Sequence, residues 1–310
     1  SAAAEEIPSN ILQAMQWRLI GPHRGGRITS VSGVSGDANI YYVGTPGGGV
    51  WKTEDAGRVW KPIFDEQHVA SIGALAVAQS DPKIIYVGTG EQTQGDGVYK
   101  STDAGATWTN IGLRETHVIT GIVIDSRNPN IVLVAAAGNH WSGTERGVYK
   151  TSDGGKSWQK VLYKDPDTGV PDIEADPTNS SVLYASLWTR PEDPFSGEEP
   201  EKKKQQDAAI YKSTDEGSTW TAVEGKGLPT DAMGRIGVAV APGTNGMRVY
   251  AIVTQGLFRS DDGGANWQRS TTDPRILGNA YFSRVFIDPT NANFVYVAQT
   301  SMYRSTDGGR

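Results

Sequence analysis

The sequence predicts an all-β protein, a β-propeller built from four-stranded blades. Two observations support this prediction. The motif Ser/Thr-x-Asp-x-Gly-x-x-Trp recurs along the 310 residues, and successive copies of its aspartate lie 45 to 62 residues apart. A repeat of about 45 residues is typical of a propeller blade made of four strands. The motif is called the Asp box from here on.

Six Asp boxes are present, and the last one stops at Arg310, before its tryptophan. Their aspartates are Asp55, Asp103, Asp153, Asp215, Asp262 and Asp307. An aspartate followed two residues later by glycine suits a turn in which the carboxylate accepts backbone N–H groups and glycine adopts a positive φ. A calcium loop is the alternative, but five of the six boxes lack the further alternating oxygens that such a loop needs. We therefore expect the six aspartates to be structural.

Each repeat also divides into strands, as the second one illustrates. Residues 71–78 are small and apolar, which suits an innermost strand, and residues 84–88 form a β-branched and aromatic second strand. The third strand is predicted at 97–101, and the outer strand at 107–111 after the box. The single long spacing between boxes comes from a charged, proline-containing insertion at residues 190–207.

The domain prediction is an N-terminal tail at residues 1–15 and one propeller at 16–310. Residues 17–21, Trp-Arg-Leu-Ile-Gly, match the outer strand Trp-Thr-Asn-Ile-Gly at 108–112, yet no blade precedes them. The sixth blade lacks its outer strand, so pairing the two would close a six-bladed ring and remove its open edges. Truncation of a longer parent chain with further blades or domains is the competing interpretation, and both can hold.

Composition limits the classes of function. The net charge is −6 with scattered basic residues, which argues against a nucleic-acid surface. No apolar run approaches the roughly 18 residues of a membrane-spanning helix, and the absence of cysteine excludes disulfides and thiolate metal sites. No phosphate loop or nucleophile elbow is found, so we expect no cofactor and no metal. Ala2-x-Ala4 is either the remnant of a signal-peptidase site or a cloning scar.

The boxes, the Asp-Pro turns and the opening Trp-Arg-Leu-Ile-Gly-Pro at 17–22 resemble the bacterial sortilin-like, Asp-box repeat proteins. Asp boxes occur in sialidases, xyloglucan hydrolases, sortilin receptors and photosystem assembly factors, so the resemblance implies the fold more than an activity. Xyloglucan-hydrolysing propellers carry a catalytic aspartate in a Thr-Asp-x-Gly-Gly run. This sequence has Thr45-Pro46-Gly47-Gly48-Gly49 at the matching place, and Gly26-Arg27-Ile28-Thr29 only echoes the Arg-Ile-Pro element of sialidases.

We expect any functional site on the face opposite the Asp boxes, where the second-to-third loops and the connections between blades lie. All four histidines fall on that face. Three of them, at equivalent places on adjacent blades, either converge on a metal or an anion or satisfy their own loops, and we favour the second interpretation. The candidate ligand-binding residues are His23, Arg24, Arg27, His68, His117, His140, Trp141, Arg146, Trp188 and Arg190. Glu91 and Glu145 are the candidate catalytic pair for glycoside hydrolysis.

Three functions follow as hypotheses. The first, which we favour, is a secreted or periplasmic bacterial module that recognises a glycan or a protein segment without catalysis. The second is a glycoside hydrolase that uses carboxylates on the same face, and the third is a structural or assembly role within a larger exported protein. The lost aspartate at Pro46 and the aromatic residues of the loops favour the first.

Overall fold

The chain forms successive antiparallel sheets, as the repeat predicts. A computed structural model of the protein describes residues 26–91, 94–138, 143–189, 208–230, 233–278, 283–299 and 301–310. In the first blade the strands are β1 (Ser30–Val34), β2 (Asp37–Gly44), β3 (Val50–Thr53) and β4 (Lys61–Pro62). The second blade has β5 (Ile72–Val77), β6 (Ile85–Thr89), β7 (Val98–Ser101) and β8 (Thr109–Asn110). The third has β9 (Ile119–Ile124), β10 (Val132–Ala136), β11 (Gly147–Thr151) and β12 (Gln159–Leu162).

The remaining blades repeat the pattern. The fourth has β13 (Thr168–Asp176), β14 (Asn179–Thr189), β15 (Ala209–Ser213) and β16 (Thr221–Ala222). The fifth has β17 (Gly237–Val240), β18 (Val249–Val253), β19 (Gly256–Ser260) and β20 (Gln268–Arg269). In the sixth, the described residues contain β21 (Arg284–Asp288), β22 (Asn291–Ala298) and β23 (Met302–Ser305). A short 3₁₀ helix, Arg114–Thr116, connects the second and third blades.

The strands of each sheet are hydrogen-bonded in chain order, with every neighbouring pair antiparallel. The six-bladed, all-β prediction is therefore confirmed. The outer strand of the second blade is shorter than predicted, Thr109–Asn110 rather than 107–111. The reason is that the Asp-box turn occupies the preceding residues, and Thr107 donates its backbone N–H to Asp103 instead of a neighbouring strand.

The core lies between sheets rather than within one. Aliphatic side chains of one blade pack against the next, as Ile85 and Val87 of β6 do against Tyr42 and Val50 of the first blade. The second strand also carries a buried tyrosine in several blades. Tyr86 reaches the following blade, where its hydroxyl donates to the carbonyl of Pro129 at 2.9 Å. Burial away from water raises the pKa of Tyr86 to about 12, so the hydroxyl stays protonated as a donor.

Two predictions fall on residues that the structure does not describe. The strand at 17–21 that would complete the sixth blade lies within residues 1–25, and the insertion at 190–207 is likewise outside the described ranges. Closure of the ring by the N-terminal strand therefore stays a prediction.

Candidate functional site

The Asp boxes lie on one face of the propeller, together with the turns between the first and second strands. Backbone bonds join the two within each blade: Ala104 N–H donates to Lys83 at 2.9 Å, and Glu216 N–H donates to Ser181 at 3.1 Å. Strand alternation then puts the second-to-third loops and the connections between blades on the opposite face. This opposite face is called the loop face.

Within a box, the carboxylate organises the turn around it. Asp103 accepts the Ser101 hydroxyl at 2.7 Å, the Thr107 backbone N–H at 2.8 Å and the Thr107 hydroxyl at 2.6 Å. These hydrogen bonds, with the Thr107 hydroxyl the largest contributor, lower the pKa of Asp103 to about 2. The carboxylate is thus ionised, and both of its oxygens accept hydrogen bonds from its own turn. The same pattern recurs at Asp153, Asp215 and Asp262.

The indole N–H of the box tryptophan bonds in two different ways, while the ring packs between blades. Trp108 and Trp158 donate their indole N–H groups to the preceding blade, to the carbonyls of Ile63 and Ile111 at 2.7 and 2.9 Å. In contrast, the Trp267 indole donates within its own box, to the carbonyl of Gly264 at 2.8 Å. The tryptophans are therefore interblade packing elements and lie on the side of the boxes.

On the loop face, Arg27 and Glu91 form a two-pronged ion pair between the first two blades. The two guanidinium nitrogens donate to the two carboxylate oxygens at 3.1 and 3.0 Å. Glu91 is held from behind as well, since its backbone N–H donates to the Ser71 hydroxyl at 3.1 Å. Both side chains remain partly accessible, at 40% for Arg27 and 26% for Glu91. The pair is therefore an ordered patch with polar atoms that a ligand can reach.

The second candidate carboxylate lies in the third blade. Glu145 is half-buried, and its carboxylate lies against the backbone of Gly143. Its Oε1 atom is buried without a hydrogen-bond partner in the described part of the chain. The adjacent Arg146 is 4% exposed and donates to the carbonyl of Ala137, which fixes the base of the loop. Arg146 is thus a structural anchor of the loop that carries Glu145.

The described histidines have dissimilar surroundings. His68 is exposed in the connection between the first and second blades. His117 is half-buried with a positive φ of 56°, and its carbonyl accepts the Gly95 N–H at 2.7 Å. Among the described residues, no three His, Asp or Glu side chains are arranged to hold a metal ion. His23 and His140 lie outside the described residues, as do Arg24, Trp141 and Arg190.

Trp188 is the penultimate residue of the long second strand of the fourth blade, β14. It is half-buried and packs against the apolar cluster shared by the fourth and fifth blades. Part of the indole ring is therefore buried by packing, and only the rest of it is accessible from the loop face.

The loop that corresponds to the catalytic run of xyloglucan hydrolases is a tight turn. Thr45 N–H donates to the carbonyl of Gly49 at 3.1 Å, and Gly48 N–H donates to the Thr45 hydroxyl at 2.9 Å. Pro46 lies inside this turn on the loop face, and it offers neither a carboxylate nor a backbone N–H. The turn therefore supplies no general base at this position.

The sequence interpretation missed a charged cluster on the innermost strands. Asp172 of β13 is ion-paired with Arg284 of β21, and Arg284 also donates to the Thr120 carbonyl of β9 at 2.9 Å. Glu174 lies two residues beyond Asp172, on the same side of β13. Burial and the negative charge of Asp172 raise the pKa of Glu174 to about 8, although Arg284 opposes the shift.

A sequence signal for this cluster did exist. At the position of Glu174, the second and fifth blades carry Ala76 and Ala239, so a carboxylate on an innermost strand departs from the repeat. The contacts of Arg284 join the third, fourth and sixth blades near the centre of the ring. The cluster therefore has a structural role, because it connects the innermost strands of different blades.

An open groove of about 310 Å³ lies between the first two blades on the side of the boxes. It is lined by Lys52, Glu54, Lys61 and Asp103 among others. Since Lys52 already pairs with Glu54 at 2.9 Å and Asp103 belongs to its box, the charges of this groove are largely satisfied within the protein.

Comparisons with known proteins agree with this architecture. The profile of the Sortilin-Vps10 family (sortilin, neurotensin receptor 3) matches residues 96–228. A xyloglucanase from Paenibacillus sp is 25% identical over 328 aligned residues, covering 92% of this chain and 31% of the relative. The chain thus spans about a third of the length of the curated relative it matches.

Solved structures show the same fold. An ancestral GH74 enzyme superposes with a TM-score of 0.70 at 21% identity, covering 94% of this chain and 38% of that one. The GH74 xyloglucanase from Xanthomonas campestris gives a TM-score of 0.60 at 17% identity, with 94% and 54% covered. The extracellular domain of a putative one-component system from B. thetaiotaomicron gives 0.62 at 11% identity, with 94% and 34% covered.

The protein is an Asp-box β-propeller. Within that class it is similar to the Sortilin-Vps10 family over residues 96–228 and, at 25% identity, to a xyloglucanase. In the described ranges, no helix is both long and apolar enough to cross a membrane.

Proposed function

We propose that this propeller is an exported recognition module that binds a glycan or a protein segment on its loop face without catalysis. The observation that carries the proposal is the pairing of Glu91 with Arg27. Both oxygens of the Glu91 carboxylate already accept hydrogen bonds from Arg27 in the protein without ligand. Such a carboxylate suits an ordered binding patch better than a general acid or base. The partly accessible guanidinium and carboxylate offer oriented donors and acceptors to sugar hydroxyls or peptide amides.

The loss of a carboxylate at Pro46 supports the same proposal. Because the chain is similar to a xyloglucanase, a sugar polymer is the first ligand to test. The extracellular domain from B. thetaiotaomicron, which has the same fold, supports the proposal that the protein is exported. Further domains of a longer parent chain are compatible with this role, since the chain matches only part of that xyloglucanase.

Calorimetry with xyloglucan oligosaccharides, preceded by glycan and peptide arrays, tests the proposal. We expect Arg27→Gln to weaken binding by about tenfold, because it removes one charge-assisted donor pair from the patch. Arg127→Gln is the matched control: Arg127 also pairs with a glutamate of the next blade, Glu216 at 2.7 Å, but on the side of the boxes. Arrays without any ligand at millimolar concentration, or equal loss in both variants, would contradict loop-face recognition.

Glycoside hydrolysis is the second candidate, and sequence similarity to a xyloglucanase over 92% of the chain is the observation in its favour. Release of reducing sugar from xyloglucan by the purified protein would support it. Loss of that activity in Glu91→Gln or Glu145→Gln, with oligosaccharide binding retained, would assign the carboxylate. The recognition proposal instead expects binding without turnover.

A further inference from the structure

The first Asp box departs from the repeat at the residue before its tryptophan. In the other four complete boxes, the side chain at this place donates a hydrogen bond to the second carboxylate oxygen, Oδ2, of the box aspartate. The donors are three hydroxyls at 2.6 Å and one amide at 2.7 Å, those of Thr107, Ser157, Thr219 and Asn266. The first box has Val59 there, which is 55% exposed and carries no donor.

Asp55, the aspartate of the first box, therefore keeps an oxygen that its own turn does not use. Its Oδ1 accepts the Thr53 hydroxyl at 2.8 Å and the backbone N–H groups of Arg58 and Val59 at 3.0 and 2.9 Å. Its Oδ2 accepts no hydrogen bond from the described part of the chain. The groups that lower the pKa of Asp55, first among them the Val59 N–H, are hydrogen-bond donors of the same box, so the carboxylate is ionised at neutral pH.

Asp55 lines the open groove between the first and second boxes, where the lysines serve a different carboxylate. Lys52 pairs with Glu54 at 2.9 Å, and Lys61 lies opposite Lys52 across β3 and β4. Lys52 and, to a smaller degree, Lys61 lower the pKa of Glu54. Three carboxylates and two lysines line the groove, so its formal charge is negative. Asp55 is without an ion-pair partner among the described residues.

Aliphatic surface lies in the same groove as this carboxylate. Val59 lines the groove together with Ile63, which is only partly buried. A valine in place of a threonine or serine thus removes a donor and adds apolar surface at the same point. An ionised acceptor next to aliphatic surface matches the side chain of arginine or lysine, which has an apolar stem and a cationic head. Among the described residues that line the groove none is aromatic, which makes it a poor platform for a sugar ring.

The equivalent groove between the third and fourth boxes shows the ordinary arrangement of the repeat. Its volume is similar, about 290 Å³ against about 310 Å³. Here the Ser157 hydroxyl fills Oδ2 of Asp153, and Lys150 donates to the Ser218 hydroxyl at 2.9 Å. The open carboxylate oxygen and the exposed valine, rather than the shape, therefore distinguish the first groove.

We propose that the groove between the first and second boxes binds a protein segment through one arginine or lysine side chain. The cationic head donates to Asp55 in place of the missing side-chain donor of the box, and the stem covers Val59. The site lies on the face opposite the loop face, so it does not depend on the ligand proposed there. Because the groove is open to solvent, a single side chain should bind weakly, with a Kd of about 1 mM that rises with salt.

A methyl NMR titration of the protein with the peptide acetyl-Gly-Ala-Arg-Ala-Gly-amide tests the proposal. The methyl groups of Ile63 report on the first groove, and those of Val161 report on the equivalent groove between the third and fourth boxes. We expect saturating shifts at Ile63 and none at Val161. The same peptide with citrulline in place of arginine keeps its size but loses its charge, and it should bind at least about tenfold more weakly.

Val59→Thr is the most direct variant, because the second and fourth boxes carry threonine at this place. Its hydroxyl should fill Oδ2 of Asp55, so the thermal midpoint should not fall while the peptide binds about tenfold more weakly or worse. Val59→Ala removes only aliphatic contact and should keep the preference for arginine over citrulline.

Four outcomes would overturn the proposal. They are unchanged affinity in Val59→Thr, equal binding of the citrulline peptide, no shift at Ile63 with about 10 mM arginine peptide, and shifts at Ile63 that only xyloglucan oligosaccharides produce. The last outcome would assign the groove to a sugar instead of a protein segment.

Discussion

Arg284 and Asp172 are ion-paired across the centre of the propeller, although an entire blade separates their innermost strands. Asp172 is almost fully buried and accepts the Val238 backbone N–H at 2.9 Å, while Arg284 also holds the Thr120 carbonyl. The pair therefore ties the third, fourth, fifth and sixth blades together. Its two residues are 112 positions apart in the chain, so the contact forms only when the blades have assembled.

Removing the cation should be costly. Arg284→Met leaves the Asp172 carboxylate buried without its partner, and we expect a loss of about 3 kcal/mol in the free energy of unfolding. Urea denaturation measures it. Arg275→Met is the control, since Arg275 pairs with Asp273 at the surface with 67% of its side chain exposed and should cost less than about 1 kcal/mol. The double variant Arg284→Met with Asp172→Asn should recover part of the loss, and a strictly additive double variant would refute the coupling.

Glu174 should make stability fall as pH rises. Its pKa in the folded protein is about 8, against 4.5 for an ordinary glutamate. Between these values the folded chain keeps a proton that the unfolded chain has lost, so each rise in pH favours unfolding until the folded group also ionises. We expect Glu174→Gln to be more stable than the original protein by roughly 2 kcal/mol at pH 8.5, a figure reduced for the partial exposure of the side chain.

Urea denaturation at pH 5 and pH 8.5 checks this effect of Glu174. At pH 5 the difference should be much smaller than at pH 8.5, because the folded glutamate is then neutral like the glutamine and pH 5 is only just above the pKa of the unfolded glutamate. Glu224→Gln is the control, since Glu224 is on the surface with 71% of its side chain exposed. A constant difference between Glu174→Gln and the original protein at both pH values would contradict the prediction.

The Asp boxes should give the opposite pH dependence. Asp103 has a pKa of about 2 in the fold against 3.8 for an ordinary aspartate, so its stabilising effect is complete above about pH 4 and is lost as pH falls through 2. Asp103→Asn should therefore lower the urea midpoint at pH 7 and matter less at pH 2. Asp81→Asn serves as the control because Asp81 accepts one weaker backbone bond, from Lys83 at 3.2 Å. An equal deficit at pH 7 for both variants would count against the box as a turn organiser.

The repeat made much of the fold predictable, because box spacing and strand alternation are local properties of the sequence. The length of the outer strand in the second blade was overestimated, since the sequence pattern around Thr107 does not reveal that its backbone N–H donates to Asp103. The loop face followed from strand order. The bidentate pairing of Arg27 with Glu91 did not, because residues 64 positions apart in the chain meet only through the packing of two blades. The Asp172–Arg284 pair was missed for the same reason.

Close packing under the boxes gives the last prediction. An added Cβ at Gly217 would lie 2.2 Å from Leu133 Cδ2 of the third blade, and its φ is +76°. Gly243 has a similar φ of +69° but open space around it, so it isolates the backbone cost. We expect Gly243→Ala to lower the free energy of unfolding by about 1 kcal/mol, from the positive φ alone. Gly217→Ala adds the overpacking of a buried leucine, typically about 1–3 kcal/mol more. Thermal and urea denaturation of both variants measure the difference, and equal losses would mean that the third and fourth blades yield at this contact without cost.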